Sequence, residues 1–126
     1  MIKLNLRLKT KIKKKALYIT GSRSDYGLMK NVLKKLEDVF DIRLIVIGMH
    51  LSSIFGNTVN EIRSDGFRVE AEIPIEIKSD ELDEMSDGIS KLIKRLNRIF
   101  DLEDYAFIII LGDRWEALAS AIAAGY

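Results

Sequence analysis

The chain has 126 residues, 48% of them hydrophobic, with one histidine and no cysteine. That is enough to bury one core, and it excludes disulfides and thiolate metal sites. The formal net charge of +1 hides an imbalance: residues 1–15 hold seven Lys and Arg and no acid, and residues 16–126 hold 13 basic against 19 acidic side chains. No apolar run approaches the roughly 18 residues of a membrane-spanning helix, so a soluble, cytoplasmic protein with no membrane partner and no structural metal is expected.

Taken in chain order, residues 1–15 read as a basic amino-terminal extension, solvated in preference to touching nucleic acid or lipid. Ile2, Leu4, Leu6 and Leu8 alternate with polar residues and fit an added edge strand. A single domain is expected over 16–126. Ala16 to Thr20 is a short apolar strand that stops at Gly21. A helical period follows, with Leu28, Met29, Val32, Leu33, Leu36, Val39 and Phe40 on one side. Ile42 to Ile47 is rich in β-branched residues, as a buried parallel strand should be, and gives way to Gly48 and a loop over Met49 to Ser53.

Thr58 to Arg63 fits a short helix, Phe67 to Ile75 a strand with Pro74 near its end, and Leu82 to Phe100 a long helix with a stripe of Leu82, Met85, Ile89, Leu92, Ile93, Leu96 and Ile99. Tyr105 to Leu111 is the most hydrophobic strand candidate. The helix after it, from Trp115 through Ala123, is apolar nearly all round and is expected to be buried. Strands alternating with helices in units of about 30 residues predict an α/β fold with a Rossmann-like parallel sheet. The inward-looking end of the chain, with no strand after the last helix, predicts a fragment.

In such sheets ligands bind beyond the carboxyl ends of the strands, so the loops after Thr20, Ile47 and Leu111 are expected to share one rim. The first combines Gly21, Ser22, Arg23, Ser24, Asp25, Tyr26 and Gly27 at a helix start, where backbone NH groups and a guanidinium suit a phosphate. The same residues equally fit a plain cap by Ser24 or Asp25 with Arg23 solvated. Neither the dinucleotide fingerprint nor a P-loop is present, which disfavours nicotinamide and ATP chemistry. At the third junction Asp113 and Arg114 follow a very apolar strand, where partial burial signals either a mutual ion pair or a ligand site; Glu116 adds a third charge. His50, on the second loop, has the chemistry to donate to a sugar oxygen or move a proton, although a lone loop histidine more often does neither.

Four segments in order, Gly21 to Gly27, Gly48 to Leu51, Phe55 to Thr58 and Leu111 to Leu118, resemble the hydrolysing UDP-N-acetylglucosamine 2-epimerases. The non-hydrolysing enzymes share the fold, but in them a proline and a glutamate typically follow the first-loop arginine, where this chain has Ser24 and Asp25. The resemblance implies the amino-terminal half of a GT-B-type two-domain fold, UDP-N-acetylglucosamine as the partner, no cofactor, and a homodimer for the intact protein. It implies loss of UDP across C1 and C2 and then hydration to N-acetylmannosamine, as in sialic acid biosynthesis. Asp113 is the first candidate for the catalytic acid or base and His50 the second. Arg23, Ser24, Asp25, Gly27, Arg114 and Glu116 are the substrate-binding candidates. The family's later glutamate and histidine motifs and its carboxy-terminal domain do not occur in these 126 residues, so the chain alone is expected to be inactive. Other readings are a non-hydrolysing epimerase, a related glycosyltransferase, and a non-catalytic half-domain that binds a nucleotide sugar or a second chain.

Overall fold

The computed structural model describes residues 12–125. The edge strand considered for Ile2 to Leu8 lies outside them. Four parallel strands, β1 (Lys15–Thr20), β2 (Asp41–Ile47), β3 (Arg68–Ile73) and β4 (Ile108–Ile110), form one sheet in the order β3-β2-β1-β4. They alternate with helices α1 (Arg23–Leu36), α2 (Val59–Ser64), α3 (Leu82–Leu102) and α4 (Trp115–Gly125), and the Met49 to Ser53 loop contains two short 3-10 turns, Gly48–Leu51 and Ser53–Phe55.

Both faces of the sheet are apolar because alternate residues of β1 and β2 point to opposite sides and the central ones, Ala16 to Ile19 and Leu44 to Ile47, are all hydrophobic. Ala16, Tyr18, Ile42, Leu44 and Val46 face α1 and α2 with Tyr26, Leu33, Val59, Ile62 and Phe67. Leu17, Ile19, Ile45 and Ile47 face α3 and α4 with Ile73, Leu92, Leu96, Ala119 and Ala123. Each fully buried Val, Leu, Ile or Phe side chain among them contributes about 1.5–3 kcal/mol of transfer free energy. β1 is followed outward by β2 and then β3, whereas β4 returns to the other flank of β1. The chain therefore reverses direction between β1 and β4, and a crevice opens beyond their carboxyl ends.

Four expectations are corrected. The buried stripe of α1 is Tyr26, Met29, Leu33 and Leu36, continued by Phe40 beyond the helix end, whereas Leu28, Val32 and Val39 are exposed. Leu82, expected on the stripe of α3, is exposed at the helix start, where only Glu81 stands as cap. β4 is shorter than its hydrophobicity suggested: among the described residues it pairs only with β1, and its three isoleucines are half-buried. Finally, α4 is not buried all round. Ala119 and Ala123 pack with Leu92 and Leu96 of α3, Ser120 is buried and donates to the Glu116 carbonyl, and Leu118 is 57% exposed.

Candidate active site at the switch of strand order

The loop after β1 enters α1 through a reciprocal cap. Ser22, with extended backbone, accepts from the Asp25 NH at 3.3 Å, and the Asp25 carboxylate accepts from the Ser22 NH at 2.8 Å. This capping box satisfies two of the donors that a helix start leaves open. The cap is therefore Ser22, with Asp25 as its partner in the first turn, and not Ser24. Asp25 does more than cap. It also receives the Tyr18 hydroxyl at 2.7 Å, the Gly21 NH at 3.0 Å, the Ser22 hydroxyl at 3.1 Å and, closely, the Thr20 hydroxyl. Burial raises the Tyr18 phenol above its ordinary range, and its bond to Asp25 adds to that, so it stays a donor.

His50 sits on the 3-10 turn after β2 and is fully buried. One ring nitrogen, Nε2, lies 2.8 Å from Thr20 Oγ1, and the other, Nδ1, lies 2.5 Å from Thr58 Oγ1. Tyr26 packs edge-on against the ring with centroids 6.5 Å apart. Burial lowers the imidazole pKa, opposed in part by the negative Asp25 and Glu61, so the neutral ring is favoured.

The β4 junction is built differently. Gly112 turns the chain with φ +112°, a conformation that L side chains rarely adopt. Asp113 and Arg114 are exposed and make no ion pair with each other. Arg114 instead forks onto Glu116, with Nε 3.1 Å and Nη2 3.0 Å from its two carboxylate oxygens. Glu116 is buried to 5% exposure although it opens α4, because it packs against Gly21: a Cβ built there would meet the Glu116 side chain at 3.0–3.1 Å. The missing side chain of Gly21 thus lets the two junctions close on each other.

Between them lies a pocket of about 210 Å³ whose walls include Gly21, Ser24, Asp25, Asp113, Arg114 and Glu116. A second pocket, of about 430 Å³, shares the Arg114 and Glu116 wall and extends past Met49, Ile75 and Trp115. The three loops do share one rim. Of the sequence candidates, Ser24, Asp25, Asp113, Arg114 and Glu116 come together on the first pocket. His50 lies behind it, joined through Thr20. Arg23 points away, largely exposed, with Nε 3.6 Å from Glu61. Gly27 is exposed on α1, and a Cβ there would meet nothing within 4 Å.

Sequence reasoning did not single out Tyr18, Thr20 or Thr58 as part of this network. Their signal was a polar group at the end of an apolar strand and a threonine at a helix start, which is faint because such residues are common there. The Gly21 to Glu116 contact joins residues 95 positions apart and had no local signal. Among the described residues no group of three or more His, Cys, Asp or Glu is placed to hold a metal ion, and no helix is long and apolar enough to cross a membrane.

The sequence pattern of the UDP-N-acetylglucosamine 2-epimerase family matches residues 33–126. A hydrolysing UDP-N,N'-diacetylbacillosamine 2-epimerase of Legionella pneumophila is 42% identical over 114 residues, 88% of this chain and 30% of that enzyme. Polysialic acid biosynthesis protein P7 of Escherichia coli is 34% identical over 113 residues, 88% of this chain and 29% of that protein. The solved UDP-N-acetylglucosamine 2-epimerase of Neisseria meningitidis, bound to UDP-N-acetylglucosamine, has the same fold over 87% of this chain and 28% of its own, with TM-score 0.68 at 17% identity. The chain spans about 30% of the length of the curated relatives it matches. Its parallel sheet corresponds to the Rossmann-like amino-terminal half of a GT-B-type fold. With most of its residues matched by the family pattern, the chain belongs to the UDP-N-acetylglucosamine 2-epimerase family.

Proposed function

We propose that this chain supplies one wall of the nucleotide-sugar site of a hydrolysing 2-epimerase that converts UDP-N-acetylglucosamine to N-acetylmannosamine and UDP. The observation that carries this reading is the meeting of Asp113, Arg114 and the first turn of α1 on one pocket at the reversal of strand order. In the reaction a base removes the proton on C2, the C1–O bond to UDP breaks, and a C1=C2 double bond forms. Water then adds, its hydroxyl to C1 and a proton to C2. Asp113, exposed at the pocket rim, is our candidate for the proton transfer. Arg114, held in plane by Glu116, is our candidate for the departing diphosphate, since a guanidinium fork matches phosphate oxygens. Arg23 joins that role if substrate draws it from Glu61. No cofactor is needed for elimination and hydration.

Sugar identity has a second reading, because the Legionella relative at 42% identity is named for UDP-N,N'-diacetylbacillosamine. The test offers both nucleotide sugars to a protein of the relatives' full length that contains this segment, and separates the products. Free N-acetylmannosamine with UDP supports the first reading. A free 2-epimerised diacetylated sugar supports the second. UDP-N-acetylmannosamine identifies a non-hydrolysing epimerase, and transfer to an acceptor identifies a glycosyltransferase. The 126-residue chain alone is expected to release no UDP above an Asp113→Asn control, because a cleft with one wall does not exclude water.

A further inference from the structure

The polar groups behind the pocket form one directional chain. A threonine hydroxyl carries a single proton. Asp25 already receives the Gly21 and Ser22 NH groups on one carboxylate oxygen. Its other oxygen takes the Tyr18 and Thr20 hydroxyls; the Ser22 carbonyl, at 3.3 Å, is a longer second acceptor for Thr20, and toward either one the Thr20 proton is turned away from His50. Thr20 Oγ1 must then accept from His50, which places the ring proton on Nε2. The bare Nδ1 accepts in turn from the Thr58 hydroxyl. The run from Thr58 through His50 and Thr20 to Asp25 crosses from the entry of α2, over the turn after β2, to the first turn of α1.

This chain has a consequence for the pocket. Asp25 occupies the inner anion position of the β1 loop and uses the NH groups of Gly21 and Ser22. Among the described residues no acceptor takes the NH groups of Arg23 and Ser24. A diphosphate meeting this loop therefore meets those two NH groups, at an angle set by how Asp25 is held.

We infer that His50 is a positioning residue: acting through Thr20 and Asp25, it fixes the first turn of α1 so that the Arg23 and Ser24 NH groups are presented to a nucleoside diphosphate. His50 lines neither pocket at the switch and both its ring nitrogens are engaged, so it acts behind the pocket wall and meets no substrate. The ligand half of this inference rests on the proposed nucleotide-sugar site. The relay half does not.

The test is nitrogen-15 NMR of a protein of the relatives' full length that contains this segment, alone and with millimolar UDP. The expected result is a neutral His50 with its proton on Nε2, slow exchange of the Gly21 and Ser22 NH groups, and UDP-induced shifts at Arg23 and Ser24. His50→Leu should speed exchange at Gly21 and Ser22 by about tenfold or more, the loss of about 1.4 kcal/mol of local protection, and should erase the UDP shifts. His50→Gln, whose amide NH can still donate to Thr20, should restore both. Should His50→Leu fail to fold, Thr20→Val against Thr20→Ser breaks and restores the same link. A ring proton on Nδ1, or unchanged exchange in both His50→Leu and Thr20→Val, would overturn the relay. Equal loss in His50→Leu and His50→Gln would do so too. If wild-type shows the Nε2 proton and slow exchange but no response to UDP, the nucleotide reading fails and the relay stands.

Discussion

The junctions after β1 and β4 are neighbours at the same rim, yet they are built on opposite principles. After β1, Asp25 is surrounded by five donors, and a buried imidazole stands behind them. After β4, Asp113 is exposed and Arg114 has one carboxylate fork, with its side chain 47% exposed. A satisfied, buried polar network fixes backbone in place, because every alternative arrangement leaves a donor without water or partner. An exposed charge on a tight turn can meet a ligand without that cost. Polar residues close in space at this rim thus divide into those that hold the site's shape and those that can do its chemistry.

Substitutions can break that division. The largest expected effect is on chemistry: Asp113→Asn in the full-length protein should lower turnover by about 10²–10⁴-fold if it transfers the proton, with the urea midpoint of unfolding unchanged. An unaltered kcat would remove Asp113 from the reaction. On the other side of the comparison, Asp25→Ala should destabilise the chain by about 3 kcal/mol, since it strands several buried donors at once. Urea denaturation measures this, and a loss smaller than that of an exposed-residue control would show the network to be dispensable.

Gly21→Ala tests the contact between the two junctions. The new methyl would stand 3.0–3.1 Å from the Glu116 side chain, tighter than ordinary contact, so a loss of about 1–2 kcal/mol is expected, and a neutral result would mean that Glu116 gives way easily. Arg114→Ala should weaken UDP binding by about 1 kcal/mol or more in calorimetry if it touches the diphosphate. An equal effect on an uncharged sugar would argue against that contact.

The smallest effect is a pH slope. His50 has a lowered pKa in the folded state, so between that value and its ordinary value of 6.5 the unfolded chain binds more protons. Its contribution to stability is therefore complete above the ordinary value and is lost as pH falls toward the folded one. Stability should rise with pH through that window in wild type and rise less steeply in His50→Gln, measured as urea midpoints at each pH. Parallel slopes would mean that the ring titrates normally and is not held neutral.

Much of the fold was legible because it depends on local pattern. Alternation and β-branching in Ile42 to Ile47, the helical spacing from Leu92 to Leu96, and glycine at the strand ends each act over a few residues. The candidate site was legible in part for the same reason: Asp113, Arg114 and Glu116 stand together on one turn, and Gly21 to Gly27 on another. Their division of labour was not. A mutual ion pair of Asp113 and Arg114 was one of two open readings, the other being a ligand site; Arg114 is held by Glu116, because the backbone turn at Gly112 leaves Asp113 in solvent while the start of α4 carries Glu116 inward. Composition likewise read α4 as buried all round, whereas which face packs is set by where α3 lies.

The local pattern of the amino-acid sequence was enough to show that strands alternate with helices and which residue types stand at the strand ends, although β4 begins at Ile108 and not at Tyr105. Hydrophobic period and capping chemistry act within a turn or two and need no partner from elsewhere. Only the tertiary structure decided that β4 returns beside β1, that Gly21 receives Glu116, and that Thr58, His50, Thr20 and Asp25 join in one line. Those outcomes depend on contacts between distant segments, which exist only after the sheet order has brought the segments together.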